Sequence, residues 1–361
     1  MKMTSREIVR RCIEFRDPPR IGIHFAVAPI EGKTWPLTDF AGVGYGSDPH
    51  VPLANGEDEW TLPRETFDPT GENMGQVKIH PLGDGWHQLD TYRFPDFSKP
   101  ARYSHLAADV ARAHADGKYV YGHIPSLMLL PADLRGMENW FLDHVLDSDQ
   151  LIRLLDMIVD ARLQIIEAYA AAGVDGVITW DDMGTNDSAM VSPDVFRTIY
   201  FPRYKKTCDV LHERDMHFIH HCCGQVREYM GMFIEAGCDV IQLDQPRLMG
   251  IDWLAEHFGG KIAFWNPVDI QRTIGRGNLV AIADEAHHQV WALGQHGGGF
   301  MVKAYQQPNS IGMTVDESEA QYQAFMRHST YPLTPYNGQG DGEYACGRYP
   351  PGDPRGVEDR A

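Results

Sequence analysis

His217-Phe218-Ile219-His220-His221-Cys222-Cys223-Gly224 places three histidines and two adjacent cysteines within eight residues. Imidazole nitrogen and thiolate sulfur are ligands for a soft or borderline cation, zinc above all. The stretch reads as the end of a buried strand. Side chains alternate faces along a strand, so His221 and Cys223 point one way and His220 and Cys222 the other. The first pair is the candidate metal site. The second pair reads as packed core.

Other residues able to do chemistry stand where further strands are expected to end. Trp180-Asp181-Asp182 closes one, and Asp182 is a candidate metal ligand, general acid or general base. A helix cap is the alternative role for either aspartate. Gln242 and Asp244 close another strand, Trp265-Asn266 a third, and Lys303 with Tyr305 a fourth, while His123 lies at the end of an earlier one. Asp244 and Lys303 are candidate catalytic groups. His123, Trp180, Asn266 and Tyr305 are candidate substrate contacts. His287-His288 falls mid-helix among polar residues and reads as a solvated face. Gly297-Gly298-Gly299 precedes a strand instead of opening a helix, so it reads as a tight turn and not a phosphate loop.

The elements that must hold these groups follow from periodicity. Residues 4–16 read as an amphipathic helix with a capping box from Thr4 to Glu7, stopped by Asp17-Pro18-Pro19. A strand is expected at 21–27. From residue 101 strands and helices alternate strictly. Strands are expected near 119–124, 174–180, 217–221, 239–243, 262–265 and 299–303, and helices near 104–116, 137–146, 148–172, 193–214, 224–236, 251–258, 278–294 and 316–327. Alternation with short connections implies parallel βαβ units. An eighth strand hidden in the irregular stretch 28–100 would close a (β/α)8 TIM barrel, whose site lies at the C-terminal strand ends. The competing open sheet lacks a Gly-x-Gly-x-x-Gly turn after its first strand. The expected organisation is one barrel domain over 1–330, a 28–100 insertion of loops with a β-hairpin around Gly83-Asp84-Gly85, and a loose C-terminal extension over 331–361.

The formal net charge of −18 argues against nucleic acid or an anionic membrane surface as partner. No apolar run reaches the ~20 residues of a membrane span. The first residues lack a signal-peptide pattern, so a cytoplasmic location is expected. The six cysteines do not form a spaced disulfide framework.

In order and spacing the chain resembles the uroporphyrinogen decarboxylase superfamily, especially its corrinoid-dependent methyltransferase branch. The resemblance is carried by Asp58-Glu59-Trp60, Asp181-Asp182-Met183-Gly184 before Ser192-Pro193, His221-Cys222-Cys223-Gly224, Gly237-Cys238-Asp239-Val240, Phe258-Gly259-Gly260-Lys261-Ile262 and Gly297-Gly298-Gly299-Phe300. It implies a (β/α)8 barrel, substrate contacts at Asp58 and Trp60, and zinc on His221 and Cys223. It also implies methyl transfer between a small-molecule donor or acceptor and a corrinoid (cobalamin) carried on a corrinoid protein, and it allows a homodimer. The branch's later cysteine ligand is replaced here by Tyr305-Gln306-Gln307-Pro308, which leaves Asp182, Asp244 or Cys346 to complete the metal sphere. An oxygen-richer site is a harder Lewis acid, suited to a methyl ether or phenol oxygen. Trp35, Phe40, Tyr45, Trp60, Phe67, Trp86 and Tyr92 offer an aryl pocket, or the ordinary packing of a loop layer. The alternatives are a decarboxylase-like lyase acting on a tetrapyrrole or other carboxylate, and a non-catalytic corrinoid- or tetrapyrrole-binding protein.

Overall fold

The structure is a computed structural model and describes residues 3–26, 28–48, 51, 58–65 and 76–338. In chain order its strands are β1 (Gly22–His24), β2 (Phe40–Val43), β3 (Arg64–Glu65), β4 (Gln76–Val77), β5 (Tyr119–His123), β6 (Gly176–Asp182), β7 (His217–Cys223), β8 (Val240–Gln242), β9 (Ala263–Asn266) and β10 (Phe300–Lys303). The helices are α1 (Ser5–Ile13), α2 (Leu106–Ala115), α3 (Leu129–Arg135), α4 (Met137–Leu146), α5 (Ser148–Ala172), α6 (Pro193–Val195), α7 (Phe201–His212), α8 (Met230–Ala236), α9 (Ile251–Phe258), α10 (Leu279–Gly294) and α11 (Val315–His328).

Eight parallel strands run in the order β1-β10-β9-β8-β7-β6-β5-β2, a (β/α)8 barrel. The hidden eighth strand is β2. Its seam with β1 is closed by the segment just before it. Phe25 N–H donates to Leu37 O at 2.8 Å, Asp39 N–H to Ile23 O at 2.7 Å, and Ile23 N–H to the Asp39 carboxylate at 2.8 Å. Arg20 grips the same carboxylate with both guanidinium nitrogens, at 2.6 and 2.7 Å. A buried carboxylate needs such pairing, and here it ties the chain after Pro18-Pro19 to the barrel.

The inward positions of the strand starts, among them Phe40, Tyr119, Ile219, Val240, Ala263 and Met301, form one apolar cluster with Ile8, Val9, Cys12 and Ile13 of α1. The N-terminal helix therefore plugs the end of the barrel where the strands begin. Thr4 caps it, its hydroxyl accepting from Glu7 N–H. The outward strand positions pack on the helix layer in the main core, which α5 enters with Leu151, Leu154, Leu155, Ile158, Ile165 and Ile166. The opposite end is open to chemistry.

Several sequence-based boundaries change. The antiparallel pair of the insertion is β3 with β4, while 86–90 is a 3₁₀ helix, so the hairpin does not form around Gly83-Asp84-Gly85. The helix expected over 224–236 starts at Met230, and the one over 193–214 carries a π-helical turn at Phe196–Tyr200. Helix α3 was not expected. Tyr331 and Tyr336 pack along α10, the first through its hydroxyl to Gly294 O at 2.6 Å and the second against the His288 ring at 4.6 Å. Cys346, Phe67 and residues 339–361 lie outside the described residues. Among the described residues no helix is long and apolar enough to cross a membrane.

Candidate active site

Strand register brings the candidate groups together. Trp180 pairs with His221 and Asp182 with Cys223 across β6 and β7, and His221 pairs with Gln242 across β7 and β8. All five share the inward parity of the barrel-core residues Ile178, Ile219 and Val240. Beyond β7, Gly224 adopts φ 86°. A Cβ there would collide with the Gly184 backbone, and one on Gly184 would collide with Gln225. Glycine at both positions lets the β6 and β7 loops touch, which brings Asp182 alongside Cys223.

The His221 Nε2 atom lies 3.5 Å from Cys223 Sγ and 3.6 Å from Asp182 Oδ1. The three ligand atoms fall within 4.8 Å of one another. The other ring nitrogen, Nδ1, donates to Gln242 Oε1. That oxygen also accepts from Lys303 Nζ at 3.1 Å, while Gln242 Nε2 donates to Asp244 Oδ1 at 2.7 Å. The amide orientation is thus fixed by both neighbours, and Nε2 of His221 is left facing the carboxylate and the thiol, where a bound cation would take the place of its proton. Lys303 completes the chain by an ion pair to Asp244 at 3.1 Å and sits 5.5 Å from the Trp180 ring centre.

Electrostatics separates the roles. Burial pushes the Cys223 thiol well above its usual range, and the charges of Asp182 and Asp244 push it further. Burial also works against an ionised Asp182, but hydrogen bonds and charge from His221 and contacts with Cys223 hold its carboxyl below the usual value. Asp244 is buried and still held low, because Lys303 and then His221 outweigh the desolvation. The Asp182 carboxylate, the His221 ring nitrogen and a Cys223 thiol that a bound cation would deprotonate form a mixed O, N and S donor set, which fits zinc.

The neighbouring residues are not part of this group. Asp181 faces the helix layer, where its carboxylate accepts from the backbone N–H groups of Leu127, Met128 and Leu129 at 3.0–3.3 Å and from Tyr204 OH at 2.8 Å. It anchors the N-terminus of α3. His220 is buried between Phe233 and Tyr204 with no hydrogen-bond partner on either ring nitrogen, and burial keeps it neutral. Cys222 is buried beside it on the outward face.

Of the candidate substrate contacts, Asp58, Trp60 and Trp180 line one cavity of about 860 Å³, with Asp182 in its wall. Asp58 Oδ1 accepts from Trp60 N–H at 2.9 Å and Leu62 N–H at 3.2 Å, which sets the Trp60 ring in place. Helix α3 supplies Leu129 and Leu130 to the same cavity. His123 is exposed, with its ring 4.8 Å from Tyr45, and Tyr305 stands beside Lys303 with its ring centre 6.0 Å from Nζ. Asn266 lies elsewhere. It points into the helix layer, accepting from Leu243 N–H at 3.0 Å and donating to Gln289 at 3.3 Å. Sequence reasoning left Gln242 without a role, although its place two residues before Asp244 put both on the inward face.

The family model described as "Uroporphyrinogen decarboxylase (URO-D)" matches residues 85–262. Among solved structures, a methyltransferase from Methanosarcina mazei superposes with a TM-score of 0.65 at 14% identity, covering 90% of this chain and 99% of that one. A D-tagatose 3-epimerase-like protein superposes with a TM-score of 0.40 at 11% identity, over 65% of this chain and 86% of the other. No curated protein matches by sequence. The superposition on the methyltransferase, at 14% identity, speaks to the barrel fold alone. The family match runs through β5, β6, β7 and β8, the last three of which deliver Asp182, His221, Cys223 and Gln242, so the part of the chain that carries these residues is similar to the uroporphyrinogen decarboxylase family.

Proposed function

We propose that this enzyme moves a methyl group between a small donor, an aryl methyl ether, and a corrinoid carried on a partner protein, with zinc held by Asp182, His221 and Cys223. The observation that carries the reading is the convergence of those three ligand atoms within 4.8 Å, beside a cavity walled by two tryptophans. Zinc bound there supplies Lewis acidity toward the ether oxygen, whose leaving group is a phenolate. The chain's own contribution is positional. Gln242 aims His221, the Lys303–Asp244 pair locks Gln242, and Trp60 and Trp180 flank the donor. In demethylation the O–CH3 bond breaks with its electron pair going to oxygen, and the methyl carbon bonds to the reduced cobalt, which supplies the new pair.

The partner half of the reading is supported by the outer face of α4. Met137, Phe141, Leu142, Val145 and Leu146 are all exposed there, and Met137 also lines the cavity. Whatever covers that stripe stands at the edge of the mouth, where a carrier must present its corrinoid. The chain's charge of −18 disfavours a second copy as the occupant.

Metal analysis of protein purified without chelator tests the first half, with about one zinc per chain expected and lost in His221→Ala. Methoxyarene and Co(I) cobalamin then test the second, followed by the cobalt absorbance. Zinc below about a tenth per chain, or no methylated cobalt with any methoxyarene, overturns the proposal.

A further inference from the structure

The axis of a (β/α)8 barrel is ordinarily filled by layers of bulky apolar side chains. The mouth half of this barrel departs from that rule where β1, β2 and β5 form the wall. Phe40 stacks on Trp265 at 4.5 Å, Tyr121 meets Trp265 edge-on at 5.6 Å, and the His24 ring lies 6.4 Å from Tyr121. Phe40 and Trp265 belong to the apolar cluster inside the barrel, so His24 and Tyr121 also point inward. His123, two residues beyond Tyr121, shares their face at the rim. On β2 the inward positions after Phe40 fall on Gly42 and Gly44. Gly42 has the extended backbone of a strand, which does not call for glycine, and it is exposed. A methyl group there would stand 3.5 Å from the Tyr121 hydroxyl, and one on Gly44 would stand 3.1 Å from the His123 ring. The missing side chains leave room beside these polar groups.

The polar atoms facing that room are uncommitted. Among the described residues, the Tyr121 hydroxyl and the ring nitrogens of His24 and His123 have no hydrogen-bond partner, and His24 and Tyr121 are only half-buried. All three groups are uncharged near neutral pH. Burial, then the charge of Lys303, brings His24 down to about 4, while desolvation lowers His123 and raises Tyr121 to about 12. A neutral imidazole and a phenol each offer both a donor and an acceptor. The small ligand group that answers with both is a hydroxyl. A carboxylate brings acceptors only and an ammonium donors only. The metal ligands stand on β6 and β7, so the two groups occupy different sectors of the mouth.

We propose that the β1–β2–β5 sector is a second subsite, which holds the hydroxyl of an uncharged alcohol or phenol against Tyr121 and the flanking imidazoles of His24 and His123, in the room left by Gly42. It goes beyond the methyl-transfer reading and needs neither metal nor corrinoid.

Tryptophan fluorescence, with Trp265 beside Tyr121 as reporter, would be titrated with phenol and with toluene, near-isosteres that differ in the hydroxyl. Phenol is expected to bind saturably and about fivefold or more tighter than toluene. Tyr121→Phe keeps the ring contacts and removes a hydroxyl that bonds to nothing in the protein. The denaturation midpoint should therefore hold, while the phenol advantage falls to about twofold or less. Gly42→Ala fills the same room and should weaken phenol binding without changing the midpoint. Equal affinity for phenol and toluene, an advantage that survives Tyr121→Phe, unchanged phenol affinity in Gly42→Ala, or no saturable phenol binding would each overturn the inference. A phenol preference in a protein that transfers no methyl group would sink the reaction and leave the subsite standing. Methyl transfer without a phenol preference would do the opposite.

Discussion

Gln242 commits both ends of its amide, one to His221 and Lys303 and the other to Asp244. A residue that fixes the tautomer of a metal-ligating imidazole is worth about 10–100-fold in metal affinity. Gln242→Leu should therefore lower zinc affinity by about that factor in a chelator competition titration, with His221 and Cys223 both still present. Wild-type affinity in the variant would show that Gln242 is only packing. A second prediction concerns His24, whose ring lies 5.5 Å from both Phe40 and Trp265, themselves stacked on each other at 4.5 Å. Burial, then the charge of Lys303, pushes its pKa down to about 4, with Asp39 pulling the other way. The unfolded chain binds this proton at about pH 6.5, so it holds more protons than the fold between there and about pH 4. His24 therefore contributes stability that is present above about pH 6.5 and lost as pH falls, by up to about 3 kcal/mol. His24→Phe keeps the stack and removes the titration. The gap between variant and wild-type urea midpoints should shift in the variant's favour from pH 7.5 to pH 4.5. Taking that difference cancels other titrating groups, such as Asp269, which burial and Glu285 push up to about 6.

At the scale of elements, two adjacent aspartates at the end of β6 give opposite predictions. Asp181→Ala strips the carboxylate from three N–H groups at the start of α3 and from Tyr204 OH, and should cost about 2–4 kcal/mol in denaturant midpoint. Zinc content should be unchanged. Asp182→Ala should lower zinc affinity and leave the midpoint within about 1 kcal/mol, because its carboxylate faces a half-open mouth. Swapped outcomes would reverse the two assignments. Period-two alternation already separated His221 and Cys223 from His220 and Cys222, since parity is local to the strand. Which strand stands beside which is not local. Gln242 acquires its role only when β8 pairs with β7 in register, and β2 is a four-residue strand held by pairing with β5 and by Asp39. Helix α3 escaped for the same reason. Leu129-Leu130-Pro131 is an apolar run with a proline, and its N-terminus is set by a carboxylate 52 residues away. The turn at 83–85 has hairpin residues, but β4 finds its partner in β3 on the other side.

For the whole molecule, the question is where the proposed corrinoid carrier would dock on an acidic barrel. On α4 the inward face is fixed: Trp140 is buried, and Asp143 is paired with Arg135 at 2.7 Å and hydrogen-bonded by Trp86 at 3.1 Å. The outer face leaves Val145 81% and Leu146 70% exposed, and a clustered apolar face of this kind is an interaction surface more often than idle solvent contact. Glutamate at both positions is compatible with a helix and adds charge only at the surface. The pair Val145→Glu and Leu146→Glu should therefore keep the denaturation midpoint, the zinc content and the binding of methoxyarene. Methyl transfer to free cobalamin, which needs only the mouth, should also persist. Transfer to a protein-bound corrinoid should fall by about tenfold or more, the loss of about 1.4 kcal/mol of docking energy. If the double variant methylates carrier and free cobalamin at the wild-type ratio, the carrier docks elsewhere on the rim. If both rates fall together, α4 shapes the cavity through Met137 and does not serve as the contact.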